Sequence, residues 1–444
     1  MKKHYLIWGF AVAILSFTAC VDKDITPPTP GITSGSADFS RYIAVGNSIT
    51  SGYADGGLYL AGQQMAFPNL LAGQMKLAGG GAFTSPLFPT DQANGSGYLK
   101  LTGYNPDGTP IITQVPPQAV RGQVAANGIP SLTVTLYTKY SGDLNNYGVP
   151  GIRLFDVTNQ AYGNYNGYYE RLLPENVGSS FRSYLDFVTT KPFTFFTCWL
   201  GNNDVLGYAT SNGTSYTDPL TSPTSFSQLY TTTVAALTKK GAKGVVTTIP
   251  DVTVIPYFHY ITVPALVAAA QKVNPAFTNI YIQALNTSGS YDTYVTRAAT
   301  NDDDIMLSFD TKQLGATVNG KPLYGLSPTN PLSSAAVLDV NEIARVQDYV
   351  ASYNTSIKAV AATYNLPVFD AYTLLNGLKN GVTQNGVNLN TNFISGGFFS
   401  LDGIHFTPRG NAYVTDEMIK VINAKYGSNM PALDISAYNT IKTN

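Results

Sequence analysis

Short, unbroken apolar runs alternate with longer helical patterns along most of this chain. The apolar runs have the length and continuity of strands buried on both faces, and they lie at 41–45, 144–149, 193–200, 244–249 and 366–369. The helical patterns follow these runs and lie at 68–75, 181–188, 225–240, 340–364 and 407–426. This alternation predicts an α/β fold, a three-layer αβα sandwich in which helices cover both faces of a mainly parallel sheet.

Two long segments, 79–140 and 257–338, interrupt the alternation. The first is rich in Gly, Pro and Asn, and its sequence at 105–108, Asn-Pro-Asp-Gly, is typical of a hairpin turn. We therefore predict that 79–140 is an insertion containing β-hairpins and that 257–338 is a second, irregular insertion. The apolar residues in both segments argue against disorder.

The first 19 residues have the pattern of a signal peptide. Lys2 and Lys3 precede an apolar run from Tyr5 to Phe17, which is shorter than the roughly 20 residues needed to span a bilayer. Small residues and then Cys20 end the run, and this arrangement resembles a bacterial lipobox. The alternative is an ordinary signal peptide that happens to contain a cysteine.

We expect Cys20 to be lipidated and to become the mature N-terminus. The segment 20–38 is rich in Pro, Gly and Ser, which suits a flexible tether. Val21, rather than Asp, follows the cysteine, as in lipoproteins sent to the outer membrane. The sequence thus predicts an exported protein anchored to the outer membrane of a Gram-negative bacterium. Its folded domain is expected at 39–428, followed by a C-terminal tail at 429–444.

The composition excludes several classes of partner and site. Charged residues make up only 12% of the 444 residues, and 26 basic side chains nearly balance 27 acidic ones, so nucleic acid and anionic lipid are excluded as main partners. Two cysteines rule out a disulfide framework, and three histidines argue against a multi-histidine metal centre. His4 lies in the predicted signal peptide, so histidine chemistry must use His259 or His405.

Four short polar segments each fall just after a predicted strand, and the fourth also lies just before the C-terminal helix. They are GNSIT at 46–50, GVPG at 148–151, GNND at 201–204 and DGIH at 402–405. Ligands of open parallel sheets bind outside the carboxyl ends of the strands, so we expect the four segments to meet at one edge of the sheet. Taken singly, each has an ordinary explanation, such as a turn serine, a loop glycine, an Asx turn or a surface histidine.

Together and in this order, the four segments resemble the blocks of the SGNH (GDSL-type) hydrolase superfamily. The resemblance covers the αβ frame, about half of the chain, and implies a flavodoxin-like sheet. It implies that Ser48, Asp402 and His405 form a catalytic triad. It also implies that the backbone N–H groups of Ser48 and Gly151 and the side-chain amide of Asn203 form an oxyanion hole.

The segments depart from the family pattern at two positions. Asn47 replaces the usual Asp and Ile49 the usual Leu, so any role of a charge at position 47 is lost. Two neighbours are rivals for the oxyanion roles: Gly148 for Gly151, and Asn202 for the asparagine at 203. The family alignment favours Gly151 over Gly148 and Asn203 over Asn202.

The resemblance implies hydrolysis of a carboxylic ester through an acyl-enzyme on Ser48, without a metal or other cofactor. A carbohydrate O-deacetylase with the same triad is an alternative. A non-catalytic glycan-binding lipoprotein is an alternative of another class, disfavoured because every triad and oxyanion position is filled. The expected partners are a small-molecule, lipid or glycan ester and, through Cys20, the membrane. We expect both insertions to pack beside Ser48 and to restrict which acyl or alcohol groups enter.

Four further features have simpler interpretations. We interpret His259 as a structural histidine among aromatic residues, Asp302–Asp304 as a solvated turn rather than a calcium site, and Cys198 as an inert residue of a buried strand. The tyrosines at 162–169 could stack on sugars, but we favour a Tyr-rich exported surface.

Overall fold

A five-stranded parallel sheet forms the centre of the computed structural model. Its strands are β1 (Tyr42–Gly46), β2 (Asn146–Gly148), β3 (Phe195–Trp199), β4 (Lys243–Thr247) and β5 (Val368–Phe369). Their order across the sheet is β2-β1-β3-β4-β5, and every neighbouring pair is parallel. This is the flavodoxin-like order, so the predicted α/β architecture is confirmed.

The structure describes residues 31–126, 129–178, 181–211, 219–288 and 292–441. From Ile32 onward they belong to one compact unit. The predicted signal peptide and Cys20 lie outside the described residues. Within the described part of the chain, no helix has the length and apolar character needed to cross a membrane.

The register of the sheet brings the carboxyl ends of its first three strands to one level. Gly46, the last residue of β1, pairs with Gly148 of β2 on one side and with Trp199 of β3 on the other. The GNSIT, GVPG and GNND segments begin at or just beyond this level. The topology therefore brings them together, although they are far apart in the sequence.

Helices cover both faces of the sheet. Side chains alternate between the faces along β3: Trp199 contacts Phe67 and Phe195 contacts Tyr426 on one face, whereas Cys198 points towards Tyr230 on the other. The first face is covered by Phe67–Leu77 and Pro408–Tyr426, and the second by Tyr184–Thr189, Pro223–Thr238 and Val340–Thr363. The other helices are Ser48–Ser51, Leu60–Gln64, Gly167–Glu170, Asn203–Ser211, Pro256–His259, Val263–Val273 and Ala371–Leu378.

The start of the C-terminal helix is fixed by its capping residues, as the sequence predicts. The Thr407 hydroxyl accepts a hydrogen bond from the Gly410 N–H at 3.0 Å, and Pro408 occupies the first turn. Because the cap ends the preceding loop sharply, His405 is held two residues before it at the edge of the sheet.

The first insertion contains two antiparallel hairpins, which confirms the prediction for this segment. Tyr98–Tyr104 pairs with Pro110–Val115 around the predicted turn, and Val120–Ala126 pairs with Ile129–Tyr137. Gly108 has φ +84° in the first turn, a conformation that favours glycine.

The second insertion is more regular than the sequence analysis predicts. It contains the helix Val263–Val273 and a hairpin of Tyr281–Asn286 with Thr293–Ala298. The short strands Asp304–Ile305 and Val337–Leu338 also pair in it. These elements enclose a small hydrophobic cluster of their own, separate from the main core. A further hairpin, Val382–Gln384 with Val387–Leu389, lies outside both insertions.

The folded domain begins before residue 39, so the predicted end of the tether at 38 is wrong. The Ser36 N–H donates to the carbonyl of Tyr426 at 2.8 Å, and Ala37 is buried. This segment is hydrogen-bonded to the end of the C-terminal helix, so it is part of the folded domain and not a free tether.

The segment after the C-terminal helix also packs on the domain. Met430, Leu433 and Ile435 are buried, and the Leu433 N–H donates to the buried carboxylate of Asp416 at 2.9 Å. The part of the tail that the structure describes is therefore an integral part of the core.

Candidate active site

Ser48 lies on a sharp turn directly after β1. It is the first residue of the short helix Ser48–Ser51, and the side chain of Asn47 caps that helix by accepting from the Ile49 N–H at 3.1 Å. A Cβ on Gly46 would lie 2.8 Å from a carbonyl oxygen of β3, so only glycine fits there. At this first helical position the N–H of Ser48 has no acceptor within its own helix.

Three side chains form a continuous hydrogen-bonded chain at the edge of the sheet. The Nε2 atom of His405 lies 2.8 Å from the Oγ atom of Ser48. On the other side of the ring, Nδ1 lies 2.8 Å from the Oδ2 atom of Asp402. Such a chain can remove the hydroxyl proton, because the carboxylate fixes the ring with Nε2 free to accept it.

The carboxylate of Asp402 is held by several donors. Its Oδ1 atom accepts from the N–H groups of Ile404 and His405, both at 2.9 Å, and from the Ser400 hydroxyl at 3.0 Å. Its Oδ2 atom also accepts from the Gly56 N–H at 2.9 Å. Burial alone would raise the pKa of Asp402, but the charge and hydrogen bond of His405 outweigh it and hold the pKa well below the usual range. The group is therefore ionised at neutral pH.

A second carboxylate, Asp55, is half-buried and supports this loop, and the sequence analysis does not identify it. Its Oδ1 atom accepts from the Leu401 N–H at 2.9 Å, and its own N–H donates to the Ser400 hydroxyl at 2.9 Å. Its Oδ2 atom accepts from the Tyr59 hydroxyl at 2.6 Å. Burial raises the pKa of Asp55 to about 6, even though these hydrogen bonds lower it. The residues around Asp55 have the composition of a turn, but nothing in this local sequence indicates a contact with a loop 346 residues away.

Gly151 and Asn203 line the same cleft as Ser48. Gly151 has φ +81°, a left-handed conformation that suits glycine. One amide hydrogen of Asn203 is donated to the carbonyl of Ile152 at 2.9 Å, which fixes the side chain and leaves its second hydrogen for a ligand. These groups and the Ser48 N–H can together stabilise an oxyanion formed on a carbonyl attacked by Ser48.

The two rival residues have other positions in the structure. A Cβ on Gly148 would lie 2.3 Å from the Ser51 nitrogen, so this glycine is needed where β2 packs beneath the serine turn. Asn202 is buried and does not line the cleft that contains Ser48 and Asn203. The geometry therefore favours Gly151 and Asn203 as the groups that face a ligand.

We expect Asn203→Ala to lower kcat for ester hydrolysis by about 10²–10³-fold with little change in KM, because an oxyanion donor binds the transition state better than the ground state. Steady-state kinetics with an aryl ester measure both constants. Asn423→Ala in the C-terminal helix is the matched control, because this asparagine also donates to a backbone carbonyl, that of Met430 at 2.9 Å, but does not line the cleft. A change confined to KM would mean that Asn203 holds the substrate rather than the oxyanion.

Ser48 and His405 open into a cleft of about 480 Å³. One wall is the strand Ile129–Tyr137 of the first insertion, so this insertion does pack beside Ser48. Tyrosine rings form part of the lining: Tyr137 and Tyr168 stack with centroids 4.5 Å apart, and Tyr53 packs against the ring of His405 at 4.8 Å. The cleft is thus shaped mainly by aromatic and uncharged side chains.

The second insertion does not line this cleft with any of its described residues, contrary to the prediction. It instead packs against the loop that carries Asp402 and His405. The Tyr257 N–H donates to the Gly403 carbonyl at 3.1 Å, and a Cβ on Gly403 would lie 2.9 Å from the Tyr257 nitrogen. This insertion therefore supports the position of the loop rather than the shape of the cleft.

The tyrosines at 162–169 do not form the surface patch that the sequence analysis favours. Tyr162 and Tyr169 are buried in the main core. Tyr165 and Tyr168 line the cleft instead. The interpretation as a Tyr-rich surface is therefore wrong for most of this segment.

Two of the simpler interpretations are also wrong. The side chain of His259 is 51% exposed, and its Nδ1 atom lies 3.2 Å from the carboxylate of Asp304, so it is not packed among aromatic rings. Asp303 is buried and forms an ion pair with Arg297 at 2.6 Å rather than lying in a solvated turn. Among the described residues there is no cluster of three or more His, Cys, Asp or Glu residues suited to a metal.

Cys198 is fully buried in β3, as predicted. Burial raises the pKa of its thiol to about 12. The thiol therefore stays protonated and inaccessible, and it is not a second nucleophile.

Comparison with known proteins gives only distant likenesses. No protein-family model matches the chain, and no curated protein matches its sequence. One similar crystal structure is LAE5, an alpha/beta hydrolase enzyme from the metagenome of Lake Arreo, Spain, with a TM-score of 0.37 and 10% identity over 88% of this chain and 97% of that one. Another is the lipase/acylhydrolase from Enterococcus faecalis, with a TM-score of 0.33 and 12% identity over 88% of this chain and 100% of that one. Likenesses at this level do not establish function, which must be inferred from the site itself.

Proposed function

We propose that this protein is a serine esterase that hydrolyses carboxylic esters through an acyl-enzyme on Ser48. The observation that carries the proposal is the hydrogen-bonded chain from Ser48 through His405 to Asp402, with 2.8 Å at each link. A serine hydroxyl at its ordinary pKa is a weak nucleophile, and a histidine oriented by a buried carboxylate is the usual means of activating it.

The first half of the reaction transfers the acyl group to the enzyme. His405 Nε2 takes the hydroxyl proton as Ser48 Oγ bonds to the ester carbonyl carbon. The resulting oxyanion accepts hydrogen bonds from the N–H groups of Ser48 and Gly151 and from the amide of Asn203. His405 then gives its proton to the leaving alkoxide, the ester C–O bond breaks, and the alcohol departs.

The second half releases the acid and restores the serine. His405 takes a proton from a water molecule, whose oxygen attacks the acyl carbon on Ser48. The tetrahedral oxyanion uses the same three donors. His405 returns the proton to Ser48 Oγ as the acyl–oxygen bond breaks. Throughout both halves, Asp402 stays ionised and stabilises the imidazolium.

The release of 4-nitrophenol from 4-nitrophenyl acetate and longer aryl esters by the purified protein tests this proposal. We expect saturable hydrolysis that a chelator does not reduce, because the chemistry uses only side chains and water. The absence of turnover on every ester of the panel, with the protein folded, would reject the esterase.

We further propose that the chain is an SGNH-type hydrolase. The proposal is supported by the four segments in order and by their meeting at one edge of a flavodoxin-like sheet. The rival function, a non-catalytic glycan-binding lipoprotein, has no need of a serine hydrogen-bonded to a histidine and carboxylate. That complete chain favours an enzyme.

We also propose that the protein is exported and lipid-anchored at Cys20, on the sequence evidence alone. Cys20→Ser should move the protein from the membrane fraction to the soluble fraction of the producing bacterium, because the variant cannot receive the lipid. Immunoblotting of the two fractions after a high-salt wash measures this. The matched control is Cys198→Ser, which should stay with the membrane. A Cys20→Ser protein that also stays there is anchored in some other way.

A further inference from the structure

A second and much smaller cavity, of about 30 Å³, lies beside Ser48. We call it the niche. Ser48, Asn203, Leu206 and His405 border both the niche and the cleft. The rest of its lining differs from that of the cleft, so the two cavities are distinct spaces that meet at the reacting groups.

The niche and the cleft lie on opposite sides of Ser48. Cleft residues such as Gly151 follow β2, next to β1 at one end of the sheet. Niche residues such as Pro250 and Leu375 follow β4 and β5, towards the other end. An ester bound at Ser48 therefore has one of its two parts directed towards each cavity.

The niche is small and largely apolar, and side chains of the main core form part of its lining. A cavity needs roughly 10–15 Å³ of such space to hold one water molecule, so the niche accepts only about two or three groups of that size. Val252, Ile255 and Leu375 in its lining are 3%, 4% and 1% exposed and belong to the main core. Close-packed core side chains cannot move apart without opening the core, so a longer chain cannot enter easily.

The order in which the alcohol leaves and water enters indicates which part of the ester lies in the niche. After the alcohol leaves, water must reach the acyl carbon from the position that the alcohol occupied. The cleft, at about 480 Å³, is wide enough for an alcohol to leave and for water to enter, whereas the niche, at about 30 Å³, is too small to release a larger alcohol. The alcohol part therefore belongs in the cleft and the acyl part in the niche.

We propose that the niche holds the acyl group and restricts it to the size of acetyl, and that the cleft receives a larger, neutral, hydroxyl-rich alcohol such as a sugar. This inference rests on the esterase function proposed above. The described lining of the cleft contains tyrosines, threonines and asparagines and no Asp, Glu, Lys or Arg. Such a lining suits hydrogen bonding and stacking with an uncharged alcohol better than the binding of a charged one.

The acyl part of the proposal is tested with 4-nitrophenyl esters that differ only in acyl length. For the wild type we expect kcat/KM for the acetate to exceed that for the butyrate about tenfold or more, and the octanoate to be a poor substrate. Each methylene that a pocket rejects is typically worth a factor of about 10 or more. Leu206→Ala should raise the butyrate-to-acetate ratio of kcat/KM about tenfold, because Leu206 lines both the niche and the cleft and its truncation enlarges the space beside Ser48.

Two further variants make the acyl test decisive. Leu375→Ala enlarges the other side of the niche and should change the same ratio in the same direction, so the test survives if one variant fails to fold. Leu229→Ala removes a half-buried leucine that lines neither cavity, and it should leave the ratio unchanged. If neither enlarged variant folds, the ranking of the 4-nitrophenyl esters by kcat/KM for the wild type still tests the acyl part of the proposal.

The alcohol part is tested by acetate release from a partially acetylated neutral oligosaccharide. Release at a kcat/KM at least equal to that for the aryl acetate supports the cleft assignment, and hydrolysis of aryl acetates alone overturns it. A wild-type preference for butyrate or octanoate, or no preference, overturns the niche assignment while leaving the esterase intact. Failure on all esters instead rejects the esterase itself.

Discussion

Ser48→Ala should reduce kcat/KM for aryl ester hydrolysis by at least three orders of magnitude and leave the fold intact. In the proposed mechanism the Oγ atom forms the covalent bond to the acyl group, so its loss removes the acyl-enzyme route. Loss of the nucleophile from comparable triads lowers kcat by up to about 10⁶, and the remaining rate comes from the oxyanion donors and from binding. The side chain is small and its hydroxyl contacts His405, so its removal creates little cavity.

A serine in the same short helix provides the matched control. The Ser51 hydroxyl donates to the carbonyl of Ser48 at 2.8 Å and does not line the cleft. Ser51→Ala should therefore keep kcat/KM within about tenfold of wild type. Circular dichroism and thermal unfolding of all three proteins check the fold. A folded Ser48→Ala protein with more than a hundredth of wild-type turnover would remove Ser48 from the nucleophile role.

Asp402→Asn should lower kcat by about 10⁴-fold with little change in KM. The asparagine can still accept from the loop N–H groups through Oδ1, so the loop should keep its conformation. It would present an amide N–H to the Nδ1 atom of His405, however, where the aspartate presents an acceptor. The ring would then carry its proton on Nε2, and it could no longer take the proton of Ser48.

The same substitution should also change how stability depends on pH. A carboxyl whose pKa is lower in the folded state than in the unfolded state stabilises the protein above its unfolded pKa, and this stabilisation is lost as the pH falls. The unfolded value for Asp is about 3.9. The ionised carboxyl of Asp402 contributes to the free energy of unfolding of the wild type but not of Asp402→Asn. This contribution should therefore be present at pH 7 and should decline progressively below about pH 4. Urea unfolding at several pH values measures it.

A carboxylate outside the site, that of Asp416, serves as the control for Asp402→Asn. Asp416 is buried in the C-terminal helix and accepts from the Leu433 N–H at 2.9 Å. Asp416→Asn removes a buried charge as well, but it should leave kcat near the wild-type value. If Asp402→Asn behaves like this control, the carboxylate does not orient His405 during catalysis.

The parts of the fold that the sequence predicts well are those set by local patterns. The apolar run at 193–200 corresponds to the fully buried strand Phe195–Trp199. The Thr407-Pro408 pair marks the start of the last helix, and the turn at 105–108 joins the predicted hairpin. In each case a few neighbouring residues determine the backbone, so no knowledge of distant contacts is required.

The second insertion also contains local sequence signals for a helix. Thr262 caps the helix Val263–Val273 through its side chain, and Pro264 lies in the first turn. These are the same signals that predict the C-terminal helix. The apolar residues of this helix pack on a small separate cluster rather than on the sheet.

Other features depend on contacts that the sequence does not indicate. Asp303 is buried because the strand Thr293–Ala298 brings Arg297 beside it, and three consecutive acidic residues give no sign of this. The support of the catalytic loop by Asp55 and the size of the niche arise in the same way, from segments that only the folded chain brings together.

Covalent labelling followed by intact-protein mass spectrometry tests the central claim most directly. A fluorophosphonate reacts with an activated serine and leaves a stable phosphonyl group on its oxygen, with loss of fluoride. We predict that the wild type gains the mass of one such group, that peptide mapping places it on Ser48, and that Ser48→Ala gains none under the same conditions. An unlabelled wild-type protein, or a group on another residue, would contradict the assignment of Ser48 as the nucleophile.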